Sequence, residues 1–153
     1  MTSIQQFIEI RRDGKIIDET MKVEDIFALG ATEKVVEIQW RNGSQAVFFR
    51  DAYGVSAKVV LGGDFIVANA HDNSGQRRVL LIINADGTQR FQLLNTQLIC
   101  GKSELGDFRW FDSPRIEAPD VFGVIFNRAR DNSMFQLDID AKTAKVLAAY
   151  PIK

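Results

Sequence analysis

Short turn signals that reverse the backbone recur along almost the whole chain, and they set the fold class before composition is consulted. Asp13-Gly14, Asn42-Gly43, Gly62-Gly63 and Asp86-Gly87 are two-residue hairpin signals, because a type I′ turn places both central residues at positive φ. Longer turns are expected at 51–54, 72–75, 130–133 and 141–144. Between them lie short runs rich in Val, Ile and Phe, the side chains that pack well on a pleated surface.

Register arithmetic strengthens that reading. If Asn42-Gly43 is a two-residue loop, Ile38 faces Val47 and Val36 faces Phe49. An Asp86-Gly87 loop sets Ile82 against Phe91 and Leu80 against Leu93. A turn centred on Asp131-Asn132 sets Phe126 against Leu137 and Val124 against Ile139. The next turn sets Ile139 against Val146, Leu137 against Ala148 and Phe135 against Tyr150. Every pair joins apolar partners, and a one-residue slip would break them all. Glu37, Gln39, Arg41, Arg90, Gln92, Gln136 and Asp138 alternate with that set, as a wetted face requires. Residues 79–83 and 59–61 are apolar on both faces, so their strands are expected to run centrally, covered on each side.

The expected architecture is all-β: antiparallel hairpins or a meander forming a β-sandwich or a twisted, partly closed sheet. One short helix is expected over residues 23–29, plugging an end of the sheet. Glu24 and Asp25 fall in its first turn, where the helix dipole favours acids, and Gly30 falls at the position after its C-cap. A length of 153 residues fits one β domain spanning 1–153.

Charge and cysteine content narrow the partners. Nineteen basic and 20 acidic residues give a net charge of −1, without the basic excess that displaces counterions from phosphates. Direct nucleic-acid binding is not expected. Arg11-Arg12 and Arg77-Arg78 read as solvated strand edges. Residues 1–7 lack the basic and apolar regions of a secretory signal, and no apolar run is long enough to span a bilayer. With Cys100 as the single cysteine, the reducing cytoplasm is the expected compartment.

Catalytic motifs are few. His71 is the lone histidine, so any Ser-His-Asp or Cys-His arrangement must use it. It reads as an exposed turn residue beside Asp72, and Cys100 as a small buried apolar residue. Two Cys and His residues in total cannot build the common zinc sites, and 131–140 lacks the glycine and closing glutamate of a calcium loop. No phosphate-binding glycine loop or nucleophile elbow is present. The carboxylate pair Asp138 and Asp140 reads as the wet side of an edge hairpin. No catalytic residue, cofactor or metal is therefore expected, and the chain reads as a binding protein.

The hairpin rhythm stops between Gly101 and Asp120. A segment of that length without regular structure is uncommon in a compact domain. Phe108-Arg109-Trp110-Phe111 lies within it. Glu104, Asp107, Asp112, Glu117 and Asp120 surround that run against only Lys102, Arg109 and Arg115. Trp and Arg with an acidic rim is the composition of a protein-binding hot spot. Glu104, Asp107, Arg109, Trp110, Asp112, Glu117 and Asp120 are the candidate partner-binding residues, while Phe108 is read as a core residue of a short strand.

In overall character, a short mildly acidic sheet without catalytic groups and with an acidic irregular loop, the chain resembles the small cytoplasmic immunity proteins of bacterial toxin–immunity systems, particularly those of contact-dependent growth inhibition. The resemblance implies a protein that binds one cognate toxin domain, often a nuclease, and blocks its active site. A small-molecule carrier built as a closed barrel and a self-associating structural subunit are the alternatives from other classes.

Overall fold

The two most apolar stretches form the middle layer of the molecule. The computed structural model describes residues 3–152. Its strands are β1 (Gln5–Arg11), β2 (Ile16–Asp18), β3 (Val35–Asn42), β4 (Gln45–Arg50), β5 (Ser56–Val59), β6 (Phe65–His71), β7 (Arg78–Asn84), β8 (Gln89–Leu93), β9 (Thr96–Ile99), β10 (Lys102–Asp112), β11 (Val121–Arg128), β12 (Met134–Asp140) and β13 (Lys145–Ile152), with the helix α1 (Val23–Phe27) between β2 and β3. They form three antiparallel sheets, each built from one continuous stretch of chain: β2-β1-β3-β4, then β5-β6-β7-β8, then β13-β12-β11-β10-β9.

Alternation along β6 and β7 shows why the layers stack. Phe65, Val67, Leu80 and Ile82 join Phe108, Phe122, Val124, Phe126, Leu137 and Ile139 in one core. Their neighbours Ile66, Ala68, Leu81 and Ile83 join Ile38, Trp40 and Val47 in a second. A strand that is apolar on both faces can only be satisfied with a layer on each side, so the expected sandwich is extended to three layers. Trp40 fits its core because its indole N–H donates to Ala85 O at 2.7 Å. Val59 and Val60 are covered in the same way, one toward each core, but β5 is the edge strand of its sheet, so the expectation that it runs centrally is corrected. Leu61 is not covered: it is 79% exposed, because the chain turns there and Gly62 N–H donates to Pro119 O.

The hairpins keep the expected faces, with shifts in register that have local causes. Leu80 pairs with Leu93 and Ile82 with Phe91 as expected. In the β3–β4 hairpin, Ile38 meets Phe49 and Trp40 meets Val47, two residues from the expected pairing. Gly43 has φ +62 with no positive φ at Ser44, the pattern of a type II′ turn centred one residue later. The β11–β12 pairing is likewise moved by two, with Phe126 on Phe135 and Val124 on Leu137, because Arg128 N–H donates to Ser133 O across a four-residue loop. Along β12–β13, Ile139 meets Val146, but an irregularity then sets Leu137 on Ala149 and Phe135 on Pro151. Shifts of two leave every side chain on its face; the last one marks a bulge.

Other expectations are corrected. The helix ends at Phe27, contains no buried residue and leaves Val23 and Phe27 65% and 75% exposed, so it does not plug the sheet. The segment 101–120 is not irregular over its length, since its first half is β10, an 11-residue strand. Arg11 is buried rather than solvated, its guanidinium donating to Asp13 Oδ2 and Ala31 O. Among the described residues no helix is long and apolar enough to cross a membrane.

Candidate protein interface

β10 sorts its side chains by parity. Glu104, Gly106 and Phe108 point inward, while Leu105, Asp107 and Arg109 are exposed. Gly106 permits this close packing: a Cβ there would sit 2.2 Å from Asn127 O and 2.6 Å from the Phe126 ring. Phe108 is 1% exposed and meets Phe126 edge-on at 5.5 Å. Pairing with β11 then shifts between Phe108 and Phe111. This bulge leaves Arg109 and Trp110 consecutively exposed, returns Phe111 to the core and keeps Asp112 outside. One rigid strand therefore presents Leu105, Asp107, Arg109, Trp110 and Asp112, with Trp110 50% and Leu105 55% exposed. β9 extends the patch, because Leu98 lies opposite Ser103 and Thr96 opposite Leu105; Leu98 and Leu94 are 64% and 67% exposed.

Four of the seven candidate residues, Asp107, Arg109, Trp110 and Asp112, thus share the outward face. Glu104 does not. It is buried, with Arg130 Nε at 3.2 Å and Arg128 Nη1 at 3.6 Å, so its charge is used inside the fold. Glu117 lies on the 113–120 loop, at a largely apolar cleft of about 410 Å³ lined also by Val59, Leu61, Pro114 and Phe122. Asp120 is half-buried beside Gly62, its backbone oxygen accepting from Ala141 N–H at 2.8 Å. Leu94, Leu98 and Leu105 were not among the candidates. The alternation of Leu98 with buried Ile99 was the available signal.

The 113–116 loop is held from below. Asp138 Oδ2 accepts the backbone N–H groups of Arg115 and Ile116, both at 2.9 Å, while Gln136 Nε2 donates to Ser113 O and to Asp138 Oδ1. Asp138 has no exposed surface and Gln136 little. The expectation that both sit on a wet face is therefore corrected: the loop covers them. Arg115 instead lays its guanidinium 4.3 Å over the Tyr150 ring.

Arg109 lines two clefts. In one it lies near Asp107 and Asn127, and its Nη2 donates to the Asn127 amide oxygen at 3.0 Å, the amide orientation being assigned from its hydrogen bonds. In the other, of about 250 Å³, it joins Lys34, Asn69, His71 and Arg78. His71 is not exposed as expected. Its Nδ1 lies 3.2 Å from Asp51 Oδ2 and 3.0 Å from Gly54 O. Asp51, not Asp72, is its carboxylate partner, and it also accepts backbone N–H groups from His71 and Tyr53. Asp72 caps its own turn through Ser74, whose hydroxyl holds the Asp72 carboxyl below the usual range. Cys100 is exposed rather than buried, since it occupies a turn at φ +50. Among the described residues no group of three or more Cys, His, Asp and Glu side chains could hold a metal ion.

No protein-family model and no curated protein matches this chain. A solved structure does. The chain is similar to one in the structure of Tne2 in complex with Tni2, at 31% sequence identity and a TM-score of 0.90, over 98% of this chain and 99% of that one.

Proposed function

This chain belongs to the family of the chain it matches in the complex of Tne2 with Tni2, and we propose from that premise that it is an immunity protein, which neutralises a cognate toxin domain by binding it. The matched relative was solved in a two-protein complex and is covered almost end to end, which supports a protein partner here. The observation that carries the reading is the outward face of β10. Trp and Arg, the side chains most enriched in binding hot spots, stand side by side at Arg109 and Trp110 on a strand whose opposite face is locked by Phe108. Such an anchor is ordered before binding, so little conformational entropy is lost on association.

The same surface bears on the kind of toxin. Of the acids that would face a basic nuclease site, Glu104 is neutralised by Arg128 and Arg130, and Asp107, Asp112 and Glu117 remain exposed. The exposed face is of mixed charge, so shape and the Trp110 anchor are proposed to dominate recognition over acidic steering. We read the chain as non-catalytic and cytoplasmic, acting where its toxin would act.

The test is isothermal titration of the purified chain with the toxin domain encoded by the adjacent reading frame. Tight one-to-one binding that Trp110→Ala weakens, together with loss of toxicity on co-expression, supports the reading. A chain that binds no such domain and gives no protection sinks it.

A further inference from the structure

We propose that the cleft between β5, the end of β6 and β10 accepts a carboxylate side chain from an acidic segment of the partner, an inference that rests on the immunity reading above. Lys34, His71 and Arg78 line this cleft, with Arg109 at its rim. The side chains of Lys34 and Arg78 carry fixed positive charge and make no hydrogen bond or ion pair among the described residues. The carboxylate near this cleft, Asp51, is occupied by His71 and by two backbone N–H groups. In a chain of net charge −1, a cleft with two unpaired cations is a local arrangement and does not reflect a basic surface. An arginine fork matches a carboxylate in two parallel hydrogen bonds.

Asn69 lies in the wall of the same cleft. Asn69 is 5% exposed. Its Nδ2 donates to Phe108 O at 3.1 Å, but its Oδ1 has no hydrogen-bond partner. Buried acceptors without a donor are costly and rare. A polypeptide segment carrying Asp or Glu supplies a carboxylate for Arg78 and Lys34, and its seating beside Asn69 changes the surroundings of that side-chain amide. The cleft is also continuous with the proposed interface, since Arg109 lines it and stands beside Trp110.

Two measurements separate the cleft from the wider reading. The first is an NMR titration of the isotope-labelled chain with acetyl-Gly-Glu-Gly-amide and, in parallel, its Gln analogue. Saturable shifts at the Asn69 side-chain amide and the His71 ring are expected with the Glu peptide only, and are expected to be lost in Arg78→Glu. Absence of saturation, or equal shifts with the Gln peptide, would overturn the cleft proposal. In the second, Lys34→Glu/Arg78→Glu is titrated against the toxin domain. At least a tenfold loss of affinity is expected, with a weaker salt dependence than wild type and an unchanged melting temperature. An unchanged Kd in that variant alongside weakened binding by Trp110→Ala overturns the cleft and leaves the immunity reading standing. Failure of the wild-type chain to bind overturns both.

Discussion

Asp138 accepts the backbone N–H of Arg115 at 2.9 Å from a carboxylate with no exposed surface, and the same oxygen takes the N–H of Ile116. One side chain in the core sheet thereby sets the path of the loop that carries Pro114 and Glu117 into the apolar cleft. Replacing it by alanine leaves two part-buried donors without an acceptor. Asp138→Ala is expected to cost about 2–4 kcal/mol, and Asp138→Asn, which keeps an acceptor oxygen, distinctly less. Urea unfolding at constant m reads this directly. An unmoved midpoint would mean that the loop is held by other contacts.

Phe108 and Trp110 lie two residues apart and should separate stability from binding. Phe108 is fully buried against Phe126, so Phe108→Ala is expected to lose about 3–5 kcal/mol of stability. Trp110 is half exposed. Its alanine variant should unfold close to wild type yet bind the toxin domain about thirtyfold more weakly, the equivalent of about 2 kcal/mol. If Trp110→Ala unfolds early and binds normally, the outward face of β10 is not the interface.

Glu104 belongs with Phe108 in this division. Because it ties Arg128 and Arg130 from a buried position, Glu104→Gln is expected to destabilise by about 1–3 kcal/mol with little change in affinity per folded molecule. Affinity lost at full stability would return Glu104 to the binding face.

The middle layer was legible because residues 79–83 have no polar side, and the hairpins were legible because Asp86-Gly87 and its counterparts mark where each strand reverses. Register was less so. Asn42-Gly43 identifies a turn but not which two residues form it, and Gly43 takes the first central position. β10 was hidden by two departures from simple alternation, Gly106 where the backbone of β11 approaches and the bulge after Phe108. Those same departures place Arg109 and Trp110 outward together, so four residues of the face could be named while only a short strand around Phe108, and not the full length of β10, could be read. The burial of Gln136 and Asp138 depends on a loop more than 20 residues away in sequence. Period-two patterning carries no record of what covers a face. The pairing of His71 with Asp51, contributed from 20 residues earlier, escaped for the same reason, since only the adjacent Asp72 was visible in the sequence.

Glu9 supplies a test whose sign depends on pH. On β1 it lies between Ile17 and Ile38 on the flanking strands, its side chain makes no hydrogen bond or ion pair among the described residues, and burial pushes its carboxyl above the usual range. A raised folded-state pKa means that the native protein holds this proton more tightly than the unfolded chain. The corresponding stability is fully present below the unfolded value of about 4.3 and is lost as pH rises through the folded value. At neutral pH the ionised side chain is therefore a liability that a neutral amide of the same shape avoids. Glu9→Gln should melt above wild type at pH 7, and the gap should close as pH falls below about 4. Asp86 provides the opposite sign. The Thr88 hydroxyl and N–H hold its carboxyl below the usual range, so Asp86→Ala should melt below wild type at pH 7, with that deficit shrinking as pH falls through the depressed value. Thermal melts of the three proteins between pH 3 and 7 decide it. Parallel curves for Glu9→Gln and wild type would show that Glu9 titrates alike in the folded and unfolded chains.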